Sequence, residues 1–145
     1  EINKDVSDEF HGVEGTKIRI ALPWNRPFGL FMPISGTISN IENYDGDKLY
    51  RFKSHLKFTN GHSRHNLTIT SKSGNIVYLE LLDCLLGRQS KTWVEAGDKG
   101  RLASCIGFFP FGGTAVITLP SHSEVFCKIG DKLRAGETVL SGLKE

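Results

Sequence analysis

Asn66-Leu-Thr-Ile-Thr-Ser-Lys-Ser-Gly-Asn-Ile-Val-Tyr-Leu-Glu-Leu-Leu82 reads as two strands with a turn between them. Residues 66–70 alternate, which puts Leu67 and Ile69 on one face of an extended chain. Ser71-Lys-Ser-Gly74 supplies turn residues, and Asn75 to Leu82 is the returning strand. The same punctuation recurs on both sides. Lys17-Ile-Arg-Ile-Ala-Leu22 alternates, and Thr37-Ile-Ser-Asn-Ile41 follows a turn at Ser35-Gly36. Further strands are expected over 103–109, 115–119 and 123–129. Asn43-Tyr-Asp-Gly-Asp-Lys48 and Asn60-Gly-His-Ser63 have the composition of loops. No window of about 12 residues carries helical periodicity. The expected fold is mainly β, a compact barrel or sandwich of short strands, barrel-sandwich-like, with little helix.

Residues 1–16 are polar and acidic and are expected to form a loosely packed lead-in to a single domain over 17–145. A domain of this size buries roughly 70% of its unfolded surface, so a core forms without disulfides. Lys and Arg number 18 against 16 Asp and Glu, and a net charge of +2 makes no case for nucleic acid. Cys84, Cys105 and Cys127 are odd in number and widely spaced, so buried reduced thiols are expected rather than a metal or disulfide framework. No apolar run approaches the ~20 residues of a membrane span. No signal peptide is visible, and Glu1 in place of Met reads as the start of a piece or a processed product. A cytoplasmic or membrane-peripheral setting is expected rather than a secreted one. Asn66-Leu67-Thr68 matches a glycosylation sequon, a pattern that chance produces often.

One echo stands inside the chain. Ala96-Gly97-Asp98-Lys99 and Ile129-Gly130-Asp131-Lys132 each open a turn before an apolar strand. Glycine accepts positive φ there, and aspartate bonds its own backbone. With Pro33-Ile-Ser-Gly36 these turns suggest interlocking hairpins. Two unrelated turns would read the same way.

The last third adds Gly107-Phe-Phe-Pro-Phe-Gly-Gly113, Leu119-Pro120, and Ala135-Gly-Glu-Thr-Val-Leu140 to the Gly-Asp turns. Upstream stands Met32-Pro-Ile-Ser-Gly-Thr-Ile38. In this order the segments resemble the phosphatidylserine decarboxylase family, which carries Phe-Gly-Ser or Phe-Gly-Gly-Ser, then a strand, then a Gly-Glu-Thr turn. Met32 to Ile38 is similar to that family's Pro-x-x-Gly-x-Ile segment. Ser63-Arg-His-Asn66 lies where the family often has Asn-Glu-Arg, and Gly87-Arg88 is similar to the end of its Val-Gly-x-Ile segment. The resemblance spans about residues 21–140 and is strongest in the last 45 of the chain. It implies self-cleavage at the motif serine, which attacks the preceding glycine carbonyl and leaves a pyruvoyl group as the electron sink for decarboxylation.

The residues inside this frame depart from it. The serine position is Thr114 or Gly113, depending on which template is taken. Glycine has no hydroxyl to form the ester. Threonine would leave a 2-oxobutanoyl group. The family also places histidines in a Tyr-His-Arg-Phe-His-like run, and the ungapped positions here hold Phe28 and Phe31, which move no proton. Arg26 takes the acidic place before them. The expected product is a degenerate, non-catalytic member, a pseudoenzyme whose cleavage position Gly113-Thr114 no longer works. No cofactor is expected, since a pyruvoyl group forms only with self-processing. Phe28, Phe31, Phe109 and Phe111 are expected either to be core or to line an apolar pocket where the family holds its lipid substrate. A phospholipid or an active decarboxylase relative is the expected partner, with homo-oligomerisation in view.

Two other readings stay open. One is an active decarboxylase that cleaves itself at Gly113-Thr114, with His62 or His65 serving as the acid–base group. The other is an unrelated barrel-sandwich binding module. A carrier of that kind needs an exposed lysine at a hairpin tip, typically beside methionine, and Met32 has no such neighbour. His62-Ser-Arg-His65 has metal-compatible spacing, but no third ligand stands near, so an exposed loop and no metal are expected. Trp24-Asn-Arg-Pro27 could offer an aromatic and a cation to a lipid headgroup, or simply pack.

Overall fold

In a computed structural model of the chain, residues 2–3, 15–22, 27–46, 63–82, 90–110 and 112–143 are described. Among them the strands are β1 (Ile2–Asn3), β2 (Gly15–Leu22), β3 (Phe28–Phe31), β4 (Gly36–Tyr44), β5 (Arg64–Ser71) and β6 (Ile76–Leu82). They continue with β7 (Lys91–Thr92), β8 (Lys99–Gly100), β9 (Cys105–Phe109), β10 (Gly113–Pro120), β11 (Glu124–Val125) and β12 (Ser141–Gly142). The described residues contain no helix, as the missing 3.6-residue periodicity predicts. No described helix is therefore long and apolar enough to cross a membrane.

The strands form three sheets. The large one has the order β1-β2-β10-β6-β5-β4-β8, a smaller one is β3-β9-β7, and β11 pairs with β12. The β5–β6 hairpin places Leu67 opposite Leu79 and Ile69 opposite Val77. Its turn closes with the Ser71 and Asn75 backbones bonded at 2.9 Å. Alternation then drives one face of every long strand inward. Ile18, Ile38, Leu67, Ile69, Val77, Leu79, Leu81, Ala115, Ile117 and Leu119 of the large sheet share a core with Leu30, Ile106 and Phe109 of the smaller one. The fold is mainly β, and its core lies between these two sheets.

The expected lead-in is described at Ile2, Asn3, Gly15 and Thr16. Ile2 and Asn3 pair with Ile18 and Lys17, and β2 begins at Gly15 rather than Lys17. The two Gly-Asp turns share one geometry. Asp98 Oδ2 accepts the Glu95 N–H at 2.8 Å, and Asp131 Oδ2 accepts the Lys128 N–H at 2.7 Å. Gly97 and Gly130 take φ of 99° and 93°, where a Cβ would strain the backbone. The first turn interlocks with the Pro33–Gly36 segment's strand, because Gly97 N–H and Asp98 C=O both bond the Ile38 backbone.

Three expectations need correction. The strand expected over 123–129 stops at Val125, because the Asp131-capped turn takes over at Lys128. The loop expected at 43–48 begins in ladder and the one expected at 62–65 ends in it: Asn43 pairs with His65 and Tyr44 with Arg64. Main-chain pairing carries β4 three residues past Ile41 and starts β5 two residues before Asn66. Cys105 is exposed rather than buried, Cys127 is half-buried, and both are free thiols. Cys84 lies outside the described residues.

Candidate functional site

The expected cleavage position opens β10, the third strand of the large sheet. Gly113 pairs with Leu22, and Thr114 pairs with Ala21 of β2 and Leu82 of β6. Consecutive residues of a strand face opposite ways. Gly113 therefore faces the core. Its φ is 139°, and an ideal Cβ there would lie 2.8 Å from the Leu82 carbonyl oxygen and 3.0 Å from Phe109 Cε1. Backbone and a buried ring leave no room for a side chain.

Thr114 faces the other way, into a polar row. Register aligns Ala21, Thr114, Leu82, Arg64 and Tyr44 across five strands. One residue pair along, the same face carries Arg19, Val116, Glu80, Asn66 and Glu42. Leu82 and Val116 make a separate small apolar cluster between these polar groups. The Arg64 guanidinium stands over the Tyr44 ring, 4.6 Å from its centroid, at a distance that favours cation–π attraction. Tyr44 donates to Glu42 Oε2 at 2.8 Å, and Asn40 donates to Oε1 at 2.9 Å. The hydrogen bond to the Glu42 carboxylate raises the Tyr44 pKa, so the phenol stays protonated. Asn66 is buried with both ends of its amide unbonded, and the buried Thr118 hydroxyl on the same face is likewise unbonded. Among the described residues no side chain hydrogen-bonds the Thr114 hydroxyl.

The family model for phosphatidylserine decarboxylase matches residues 8–141. The chain belongs to the phosphatidylserine decarboxylase family. It is 26% identical over 137 residues to the phosphatidylserine decarboxylase proenzyme of Desulfotalea psychrophila, covering 92% of this chain and 63% of the relative. It is 28% identical over 113 residues to that of Symbiobacterium thermophilum, covering 78% of this chain and 52% of the relative. The matches thus span between half and two thirds of those relatives' lengths. No solved structure matches the chain.

Within the family frame, the structure brings together some of the expected residues and separates others. Phe28 pairs with Phe109 across β3 and β9, and the Phe109 ring adjoins Gly113. Phe28 packs against the core, and Phe109 is a buried member of it. Phe31 belongs elsewhere, because its ring lies against Gly136 of the C-terminal turn. Phe111 and His62 lie outside the described residues, as do Trp24, Asn25 and Arg26.

His65 stands on the wrong face for Thr114. It pairs with Leu81, whereas Thr114 pairs with Leu82, so β6 puts them on opposite sides of the sheet. Its Nδ1 bonds Asn43 Oδ1, and its Nε2 meets Thr92 Oγ1 at 3.1 Å. Asn43 Oδ1 can only accept, so the proton of that bond lies on Nδ1. The histidine ties the large sheet to β7 of the smaller one. Among the described residues no group of three or more His, Cys, Asp or Glu could hold a metal.

Sequence reasoning did not single out Tyr44, Glu42 or Asn66, which the ladder places on the same face of the sheet as Thr114. A signal was present in the polar alternation of Arg64, Asn66 and Thr68, opposite Leu67 and Ile69. It reads as a solvated face until the ladder shows Arg64 and Asn66 buried.

Proposed function

We infer that this chain is a phosphatidylserine decarboxylase-like domain that no longer processes itself and serves as a binding or regulatory module. The observation that carries the reading is the cleavage position. Where one template puts the serine, Gly113 has no hydroxyl and no space for one. Where the other puts it, Thr114 has the hydroxyl, but among the described residues no side chain is hydrogen-bonded to it. Formation of the ester requires removing that proton. The residues present do not fit a pyruvoyl group: Gly113 supplies no side chain for one, and Thr114 would leave a group with an extra methyl. At the histidine places, Phe28 is packed on the core and Phe31 on the C-terminal turn, and neither moves a proton. Phe109 is buried in the core, so of this pair only the half-buried Phe28 is open to a partner, which would be a phospholipid or an active decarboxylase relative.

Intact mass tests the reading. One species near 16.1 kDa is expected. Two fragments split at Gly113, or release of CO2 from phosphatidylserine by the purified chain, would overturn it. The relatives' names as proenzymes favour a second reading, an active decarboxylase cleaving at Gly113-Thr114. The same measurement decides between the two.

A further inference from the structure

The smaller sheet ends on an open edge. Its order is β3-β9-β7, so β7 is its last strand among the described residues. The ladder to β9 sets Lys91 opposite Phe108 and Thr92 opposite Gly107, and the Trp93 N–H extends it to the Ile106 carbonyl at 3.1 Å. In an antiparallel ladder, alternate residues turn their main-chain groups to opposite sides. Trp93 turns its N–H toward β9. Thr92 and Val94 therefore turn theirs to the outer edge, where no described strand meets them. Such an edge is a template for another strand.

The side chains divide cleanly. Val94 packs against the core, and the Thr92 hydroxyl meets His65. Lys91, Trp93 and Glu95 are exposed. Trp93 is 59% exposed yet fixed. Its indole N–H donates to the Cys105 carbonyl at 3.3 Å, and its ring leans on Phe108, with centroids 6.2 Å apart. With that polar atom bonded inward, the part of the indole left to solvent is apolar. Lys91 and Glu95 form no ion pair among the described residues.

We propose that β7 pairs with β7 of a second copy of this chain, antiparallel, about a two-fold axis at Trp93. Lys91-Thr-Trp-Val-Glu95 carries opposite charges at equal distances from its tryptophan. Turned end for end, the strand sets Lys91 against Glu95 of the second copy, Thr92 against Val94 of the second copy, and Trp93 against itself. Each Thr92–Val94 pair exchanges two main-chain hydrogen bonds, using the groups that the edge leaves open. The two indoles meet between them, at the pair type whose side chains lie closest. The two-fold axis repeats every contact, so the ion pair forms twice. The occupant is a second copy because the strand is complementary to itself. A strand of unrelated sequence would match both charges only by chance. The interface is small, which makes the dimer reversible rather than permanent. The inference is independent of whether the chain cleaves itself.

Sedimentation velocity on the unsubstituted chain, at concentrations up to roughly 0.5 mM, tests the association. The expected result is a shift from 16.1 kDa toward twice that mass as concentration rises. Lys91→Glu alone, or Glu95→Lys alone, puts like charges together at both ends and should weaken association roughly tenfold. Lys91→Glu combined with Glu95→Lys re-forms both pairs and should recover most of the loss. Both side chains are exposed, so the melting transition of the dilute chain should not move.

Disulfide trapping in a Cys84→Ser, Cys105→Ser background reads the register. Trp93→Cys should cross-link to its own copy, because facing Cα atoms about 4.5 Å apart can be bridged. Lys91→Cys should not, because the two copies of that position lie ~13 Å apart. A monomer at every concentration, single reversals without effect, a double swap without recovery, or equal cross-linking at the two positions would overturn the proposal. If loss of the indole itself prevents Trp93→Cys from associating, the charge series decides.

Discussion

The Phe109 ring lies so close to Gly113 that a Cβ on the glycine would sit 3.0 Å from Cε1 and 3.1 Å from Cδ1. The ring cannot retreat easily, because Phe109 is 1% exposed and pairs with Phe28. On the other side stands the Leu82 carbonyl, which is backbone and fixed by the ladder. Gly113→Ser should therefore cost about 2–3 kcal/mol, from strain at positive φ and from overpacking. Urea melts should show the loss. Intact mass should show no cleavage, since the new hydroxyl would face the core and no described acid–base group. Thr114→Ser should leave stability within about 1 kcal/mol and also yield one species. Cleavage in either variant would mean that the supporting groups survive and that the nucleophile alone was lost.

Asn66 stands between Glu42 and Glu80 on the polar face, with both its amide nitrogen and oxygen buried and unbonded. Such groups forfeit hydration without compensation. Asn66→Leu keeps the branching and number of side-chain heavy atoms and removes the unbonded polar atoms. It should stabilise the chain by about 1–2 kcal/mol in urea titration. A loss of similar size would show that the amide is satisfied in solution, by water or by a ligand.

His65 joins the two sheets through Asn43 and Thr92. His65→Phe removes both bonds and should cost about 1–2 kcal/mol. Thr92→Val should cost less, and the double variant should cost less than the sum, because the two residues share one contact. Additive losses would show that the Nε2 contact contributes nothing.

The sequence made much of the sheet readable because its core strands alternate, as Leu67, Ile69, Leu79 and Leu81 do. It also made the Gly-Asp turns readable, because Asp98 and Asp131 bond backbone only a few residues away. What stayed hidden depends on partners distant in sequence. Phe28 and Phe109 are 81 positions apart and meet through a strand pairing that no local pattern encodes. Arg64 and His65 looked like loop because they are polar, but ladder bonds from Asn43 and Tyr44 hold them extended. The candidate site was legible in position and not in surroundings. Gly113 and Thr114 could be picked from the motif, whereas which face each takes, and what it meets there, follows from pairing with Leu22 and Leu82.

The described thiols should differ sharply in reactivity. Cys105 is exposed, whereas Cys127 is half-buried, with its Sγ 3.6 Å from the Leu140 carbonyl. Burial, the largest cause, pushes the Cys127 pKa up, and the neighbouring Asp131 charge adds to the rise. A raised pKa means a smaller thiolate fraction at a given pH, and the thiolate is the nucleophile. In a Cys84→Ser background, iodoacetamide at neutral pH should label Cys105 first. Cys127 should follow slowly, and it should begin to catch up only as pH rises past the ordinary thiol range. Peptide mass mapping at timed quenches reads both rates. Equal rates at neutral pH would mean that the contact between the 124–127 segment and the 140–143 segment opens readily. The Cys127 thiol would then spend much of its time in water.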